Sequence, residues 1–231
     1  MLSRHIRFAL PFRLAGFLLF QLLIAVVVGW ENSSAWWPIA ALLTNLATIL
    51  LLVTLTRREG LSYWSILNFS RADVKKDLFW LLPVLILAMP LAYIPNIGTA
   101  ALLFGNPEVA LEMFLKPLPV WAAVVAIAFS LTIIFAELPL YFGYVMPRIA
   151  KQTSSSWLPF VIPAIFLSIQ HVTLPLIVDV RFMLWRAVMF LPFAMLVGFV
   201  VKRRPSLLPY LVVLHGIIDL GMVAMLLPIA Y

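Results

Sequence analysis

The sequence predicts an all-α fold, a polytopic transmembrane helix bundle that forms one integral membrane domain over residues 1–231. Two observations indicate this class. Of the 231 residues, 65% are hydrophobic and only 11% are charged, whereas a soluble domain is about half apolar and a quarter charged. The apolar residues also gather in runs of the roughly 20 residues that a helix needs to cross a bilayer. Cysteine is absent, which excludes disulfides, thiolate metal sites and a cysteine nucleophile.

About seven segments are long and apolar enough to span a membrane. They cover residues 14–30, 36–56, 78–97, 119–146, 157–174, 183–201 and 206–229. The first follows a basic stretch, "MLSRHIRFALPFR", as a signal peptide would. The bulky residues after it, "VVVGWENSSAWW", offer no small-residue cleavage site, so we interpret it as a retained helix. The fourth segment contains Pro139, where the loss of one backbone hydrogen bond favours a bend.

The basic residues predict an orientation with the N-terminus inside and the C-terminus outside. If the segments alternate, 13 of the 16 Lys and Arg residues fall on the side of the N-terminus. They are Arg4, Arg7, Arg13, Arg57, Arg58, Arg71, Lys75, Lys76, Arg148, Lys151, Lys202, Arg203 and Arg204. Inside loops of membrane proteins are enriched in such residues. Because these residues are spread over short loops and form no basic face, the net charge of +7 does not indicate a nucleic-acid partner.

Two loops carry apolar residues of their own. Residues 57–77 mix charge with large apolar side chains, and we expect an interfacial amphipathic helix anchored by Trp64, with a solvated loop as the alternative. Residues 98–118 are semi-apolar, and either a re-entrant segment or a surface segment fits them.

Four ionisable residues lie deep in the predicted spans: Glu137, His171, His215 and Asp219. Counted from the nearest inside loop, their depths are roughly 16 to 22 Å. Buried ionisable groups are tolerated when they pair or face a common aqueous cavity. We therefore expect a shared functional cavity, although a helix–helix hydrogen bond could explain each residue alone.

The stretch "HGIID" places His215 and Asp219 at i and i+4, on one helix face, and Gly216 leaves room for a neighbouring helix. A Glu, two His and an Asp could polarise a water, with Glu137 as the base and imidazoles as donors. The same groups could bind a divalent metal through Glu137, His171 and His215. The zinc-protease pattern HExxH is absent, which argues against a metalloprotease of that type.

The order of these motifs resembles the CPBP family of CaaX prenyl-protease and bacteriocin-processing intramembrane endopeptidases. The resemblance covers residues 119–220, which we expect to be the catalytic core. The family's first motif is EExxxR, usually continuing into Gly. Here "ELPLYFG" has Glu137 at the first Glu and Gly143 at the Gly, but Leu138 and Phe142 replace the second Glu and the Arg.

The second and third family motifs are FxxxH and HxxxN. "LSIQH" supplies His171, with Leu167 in place of the Phe, and "HGIID" supplies His215, with Asp219 in place of the Asn. The resemblance implies that Glu137 and His171 activate the attacking water and that His215 and Asp219 stabilise the oxyanion. An ionised Asp219 accepts hydrogen bonds only, so it would act protonated or by orienting His215.

The two departures in the first motif are at positions one helical turn apart, where Glu and Arg could pair. Losing both partners together leaves no stranded charge, so Leu138 and Phe142 fit a paired apolar replacement.

The expected function is therefore hydrolysis of a peptide bond in a membrane-associated, prenylated or leader-bearing protein by a Glu-activated water. No cofactor is required, and a divalent metal remains an alternative. The expected partners are the lipid bilayer and a peptide or protein substrate, and the expected location is the inner membrane of a bacterium. One alternative is a catalytically silent scaffold for bacteriocin immunity or partner binding. Another is an ion-coupled transporter, which the lack of an internal repeat disfavours.

Overall fold

The computed structural model describes residues 3–231, and these residues form an all-helical bundle. Its helices are α1 (Arg4–Ala9), α2 (Phe12–Val28), α3 (Trp30–Ser33), α4 (Trp37–Arg58), α5 (Val74–Phe104), α6 (Pro107–Phe114), α7 (Val120–Ile133), α8 (Met146–Ala150), α9 (Leu158–Ile169), α10 (Val180–Val188), α11 (Leu191–Arg203) and α12 (Leu208–Ala224). A π-helical segment, Pro139–Val145, joins the chain after α7 to α8.

Five helical runs are long and apolar enough to cross a membrane, which makes the chain an integral membrane protein. They are Arg4–Val28, Trp30–Arg58, Tyr63–Phe104, Val180–Arg203 and Pro205–Ile229. Each overlaps one predicted span. The other two predicted spans, 119–146 and 157–174, contain the shorter apolar helices Val120–Ile133 and Leu158–Thr173.

The predicted span 119–146 is interrupted in the structure. Its first part, α7, ends at Ile133, and a turn follows over residues 134–136. The π-helical segment then begins at Pro139. Proline lacks the N–H that a regular ladder requires, and π-helical turns are often found at functional sites. The bend expected at Pro139 is therefore a change from α-helix to π-helix, and Glu137 lies between α7 and the π-helical segment.

The helices pack around this interruption. α4 lies against both α2 and α7, α12 packs on α7, and α9 packs on α11. The largest apolar core surrounds the π-helical segment, with Leu140, Tyr141, Phe142 and Tyr144 all buried in it. A second core includes Phe17 of α2 and Phe129 of α7. The interrupted span is therefore central, and helices distant in sequence meet at it.

Many of the basic residues meet at one end of the bundle, which we call the basic end. Hydrogen-bonded pairs connect its segments: Ser3 with Gln152, Arg148 with Glu59, Lys202 with Ser156, and Arg204 with Asp77. At the opposite end, Lys116 donates to Ser34 and the Tyr231 N–H donates to the carbonyl of Leu118. The connections joined by these two sets of contacts therefore lie at opposite ends of the bundle.

The two loop predictions have different outcomes. Residues 57–77 contain two short 3-10 turns, Tyr63–Leu67 and Arg71–Asp73, instead of an amphipathic helix, and Trp64 is exposed as an interfacial anchor would be. Residues 98–118 are largely helical, because α5 continues to Phe104 and α6 follows.

Candidate functional site

The candidate site is built around Glu137, whose side chain is 2% exposed. Its backbone follows the turn that ends α7. The carbonyl of Phe135, in that turn, accepts a hydrogen bond of 2.7 Å from the hydroxyl of Tyr63. This bond satisfies a backbone acceptor that the interrupted helix leaves free. The position of Glu137 therefore depends on the segment that connects α4 to α5.

Arg13 of α2 is the cation that faces Glu137. Its Nη2 lies 3.2 Å from Glu137 Oε2, and the Arg13 side chain is 0% exposed. The predicted first span covers residues 14–30, so Arg13 is expected in the basic segment that precedes it. In the structure the helical run begins at Arg4, so Arg13 lies inside it and is buried. A buried ion pair needs further hydrogen bonds to compensate for the loss of hydration.

Gln170 supplies one of those bonds. Its Nε2 donates to Glu137 Oε2 at 2.6 Å. Its Oε1 accepts from Arg13 Nε at 3.0 Å and from the Tyr141 hydroxyl at 3.0 Å. Gln170 is fully buried. The three bonds orient the amide, so Arg13, Gln170 and Glu137 form a closed hydrogen-bonded ring.

The other side of the Arg13 guanidinium contacts α4. Its Nη1 donates to Asn45 Oδ1 at 2.8 Å, and Thr48 Oγ1 lies at 3.5 Å. Asn45 in turn donates to the carbonyl of Phe129 and to the hydroxyl of Thr132, both on α7. One buried polar network therefore joins α2, α4 and α7 to the Glu137 carboxylate.

His215 and Asp219 of α12 lie at the second oxygen of the carboxylate. His215 Nε2 is 3.1 Å from Glu137 Oε1 and 3.4 Å from Asp219 Oδ2. The three atoms are buried, and none of them makes an aligned hydrogen bond within residues 3–231. The predicted common face of His215 and Asp219 is confirmed.

The close approach of α12 to α7 depends on Gly216. A Cβ atom at this position would lie 2.9 Å from the carbonyl oxygen of Ser130 and 2.5 Å from Ile134 Cγ1. Only a glycine lets the two backbones approach so closely. This contact, which the sequence predicted, brings His215 within reach of Glu137.

His171 occupies a different environment from the one expected. Its Nδ1 lies 2.8 Å from the carbonyl oxygen of Leu167, and its ring centroid is 4.3 Å from that of Phe190. No hydrogen bond joins His171 to Glu137 in the described part of the chain. The preceding residue, Gln170, makes that contact instead.

The two departures from the family's first motif are apolar core positions. Leu138 and Phe142 are each 1% exposed and belong to the large core. Phe142 packs over Gly198 of α11, where a Cβ would come within 2.8 Å of its ring. The arginine near Glu137 therefore comes from α2, whereas the family's first motif would place an arginine at position 142.

Sequence reasoning missed Arg13 and Gln170. Arg13 adjoins other basic residues in "RHIRFALPFR", so it had the pattern of a flanking charge. Gln170 is a polar residue next to His171 in a largely apolar segment, and its position in the sequence could have indicated a buried polar contact. The buried polar residues of α4, Asn45 and Thr48, were a further signal.

The possible metal ligands are not gathered into a metal site. Among residues 3–231, no three His, Asp or Glu side chains are arranged to hold an ion. Glu137, His171 and His215 therefore do not form the predicted set of ligands. Two surface cavities of the described chain are lined by other residues and do not include these three.

The arrangement is suited to proton transfer. One carboxylate oxygen is fixed by Arg13 and Gln170, while the other faces an imidazole and a second carboxyl group. A carboxylate with a free oxygen next to histidine can take a proton from water or exchange one with the ring. Arg13 supplies the positive charge that faces the carboxylate, with its Nη2 at 3.2 Å from Glu137 Oε2.

No protein-family model matches the chain, and no match is found among curated proteins or solved structures. The resemblance to the CPBP family therefore depends on the motif residues alone.

Proposed function

We propose that this chain is an intramembrane endopeptidase that hydrolyses a peptide bond of a membrane-associated, prenylated or leader-bearing substrate with water activated by Glu137. One observation above all supports the proposal. Glu137 Oε2 is held by Arg13 and Gln170, whereas Oε1 faces His215 without an aligned hydrogen bond. A fixed carboxylate with one free oxygen is the geometry that a general base requires.

In the proposed reaction, Oε1 takes a proton from water and the resulting hydroxide attacks the substrate carbonyl carbon. His215 donates a hydrogen bond to the developing oxyanion, and Asp219 orients its ring. When the C–N bond breaks, Glu137 returns the proton to the leaving amine. The family resemblance assigns His171 to the same water; since its Nδ1 faces the Leu167 carbonyl, its Nε2 would make that contact.

The proposal requires a movement that admits substrate. Glu137 is 1% exposed, so the closed arrangement leaves no space for a peptide at Oε1. His215 and Asp219 are partly exposed, with side-chain exposures of 15% and 20%. Opening on the α12 side would admit a substrate while Arg13 and Gln170 keep their hold on Oε2.

We further propose seven crossings with the basic end in the cytoplasm, which places the N-terminus inside and the C-terminus outside. The alternation of basic and opposite ends supports this orientation. The inner membrane of a bacterium is the proposed location.

A catalytically silent scaffold is the second candidate function. The burial of Glu137 and its pairing with a fully buried arginine favour it, because such a pair can fix the packing of α2 against the interrupted span without chemistry. A scaffold would act through its surface, and Glu137 would serve folding alone.

The deciding experiment compares wild type, Glu137→Gln and Glu59→Gln in the same host membrane at matched abundance. Glu59→Gln is the control, because Glu59 lies at the basic end, away from the site. New peptide termini are quantified in the membrane and soluble fractions. Termini made by wild type and Glu59→Gln but not by Glu137→Gln would support the endopeptidase. Identical profiles, with all three proteins folded, would refute it in favour of the scaffold.

A further inference from the structure

A groove at the basic end lies between α4, the Tyr63–Leu67 turn and the turn that introduces Glu137. Its cavity volume is about 460 Å³, within the range of about 300–1,000 Å³ typical of ligand pockets. Its lining residues are Ile49, Val53, Arg57, Ser62, Tyr63, Trp64 and Phe135. The groove is separate from the Glu137 carboxylate, and the proposed hydrolysis does not use it.

The walls of the groove are apolar, and its rim is polar. Ile49 and Val53 are on the same side of α4, four residues apart, and Trp64 and Phe135 face each other edge to face at 6.2 Å. Arg57 lies at the rim, one turn beyond Val53. Its side chain is exposed and makes no ion pair within residues 3–231. An apolar cleft that ends at an uncompensated cation is complementary to an amphiphile with a negative head group.

The position of the groove in the bundle indicates where such an amphiphile would come from. Leu50 of α4 is 68% exposed and Leu131 of α7 is 57% exposed, so the surfaces next to the groove are apolar and face lipid. Tryptophan and tyrosine collect where acyl chains meet head groups, and Trp64 is 64% exposed at this level. An occupant would therefore come from the bilayer, not from water.

We propose that this groove is a binding site for one anionic phospholipid, with an acyl chain along Ile49, Val53 and Phe135 and its phosphate at Arg57. A guanidinium binds phosphate oxygens in a bidentate geometry, and the hydroxyl of Ser62 adds a donor at the rim. A zwitterionic lipid would bring its own cation to Arg57, so the site selects negative head groups.

The groove also has a structural connection to the site. Tyr63 lines it and donates to the Phe135 carbonyl, two residues before Glu137. A bound lipid would therefore contact the peptide segment that carries the carboxylate, although the lipid proposal holds for an enzyme and for a scaffold alike.

The test uses the full chain in nanodiscs of zwitterionic lipid, titrated with a brominated anionic phospholipid that quenches nearby tryptophan. The Trp64→Phe protein gives the fluorescence quenching of the other tryptophans. Subtracting it from the quenching of wild type gives the contribution of Trp64. Wild type should show saturable quenching at a low fraction of the anionic lipid. Arg57→Gln should weaken it about fivefold or more, since one arginine near anionic lipid is worth roughly that factor.

Arg58→Gln is the matched control, because Arg58 is exposed on the next position of α4 but does not line the groove. It should leave the titration unchanged, whereas Arg57→Lys should recover only part of the affinity, since an ammonium keeps the charge but not the bidentate geometry. Val53→Phe fills the apolar part of the groove without adding a tryptophan, and it should remove the saturable component by blocking the acyl chain. Equal titrations for wild type and Arg57→Gln, or equal affinity for brominated zwitterionic lipid, would overturn the proposal.

Discussion

Arg13 and Glu137, separated by 124 positions in the sequence, meet at 3.2 Å in the interior of the bundle, where neither side chain is appreciably exposed. The pair explains how an apolar span can contain a carboxylate. It also makes the first helical run part of the site, although the motif residues all lie in the second half of the chain.

Removal of Arg13 should strongly destabilise the protein. Arg13→Met leaves the Glu137 carboxylate buried without a cation, which costs about 3–5 kcal/mol. Thermal unfolding in detergent micelles would measure the loss, with Arg7→Met as a control on an exposed arginine of the same end. The double variant Arg13→Met/Glu137→Leu should recover part of the stability. Equal unfolding of Arg13→Met and Arg7→Met would show that the ion pair does not hold the fold.

Gln170 should matter more to stability than its sequence context suggests. Gln170→Leu removes the bond to Glu137 and leaves Arg13 Nε and the Tyr141 hydroxyl without their acceptor. Buried groups left unpaired cost about 1–3 kcal/mol each. Gln152→Leu at the exposed basic end is the matched control and should be close to wild type in the same unfolding assay. A similar stability of both variants would contradict the closed ring described for Arg13, Gln170 and Glu137.

Gly216 should tolerate no side chain. Gly216→Ala forces a methyl group against the Ser130 carbonyl and Ile134, and overpacking of this kind costs about 1–3 kcal/mol. Gly221→Ala on the same helix meets nothing within 4 Å and serves as the control. Unfolding temperatures of the two variants would test the close approach of α12 to α7. If Gly216→Ala were as stable as Gly221→Ala, the two helices would have to be further apart.

The contact of Glu59 with Arg148 at the basic end should make stability depend on pH. The hydrogen bond from Arg148 is the main cause that lowers the pKa of Glu59 below its ordinary value of 4.5, and the Tyr144 hydroxyl contributes. Because the folded pKa is the lower one, the stabilisation is present above pH 4.5 and is lost as the pH falls through the folded pKa.

Wild type should therefore exceed Glu59→Gln in stability at pH 7 by up to about 1 kcal/mol, since the pair is partly exposed. The difference should shrink below pH 4.5. Glu31→Gln, at the opposite end, controls for a general effect of removing a carboxylate. A difference between wild type and Glu59→Gln that stays constant from pH 7 to pH 3.5 would contradict this assignment.

The sequence predicted the helices better than it predicted the contacts between them. The apolar runs located the long helices, because lipid exposure imposes hydrophobicity along a whole helix. The pairing of Arg13 with Glu137 has no local signature, since nothing in the residues around either position indicates which helices meet. The i, i+4 relation of His215 and Asp219 could be predicted because both residues belong to one regular helix.

Irregular helix geometry accounts for the other differences between the predicted and the observed site. α9 ends at Ile169, and a 3-10 turn follows from Gln170 to Thr173. A 3-10 turn is wound more tightly than an α-helix, so the directions of its side chains differ from those of a continuous helix. Gln170, not His171, therefore faces Glu137. The end of α7 at Ile133 similarly could not be placed, because the apolar composition continues through residues 134–136.

The wide separation of the two charges in the sequence has a consequence for biosynthesis. The ribosome makes Arg13 well before Glu137, so the first helical run enters the membrane with a cation that has no counter-ion. An arginine raises the free energy of insertion by up to about 2.5–3.5 kcal/mol, the value at the centre of a helix, and Arg13 is the tenth residue of the 25-residue run Arg4–Val28. Until residue 137 is synthesised, the growing chain must keep Arg13 near the head groups or beside the polar residues of α4. Chains truncated just before Glu137 should thus integrate their first helix less stably than chains that extend beyond it.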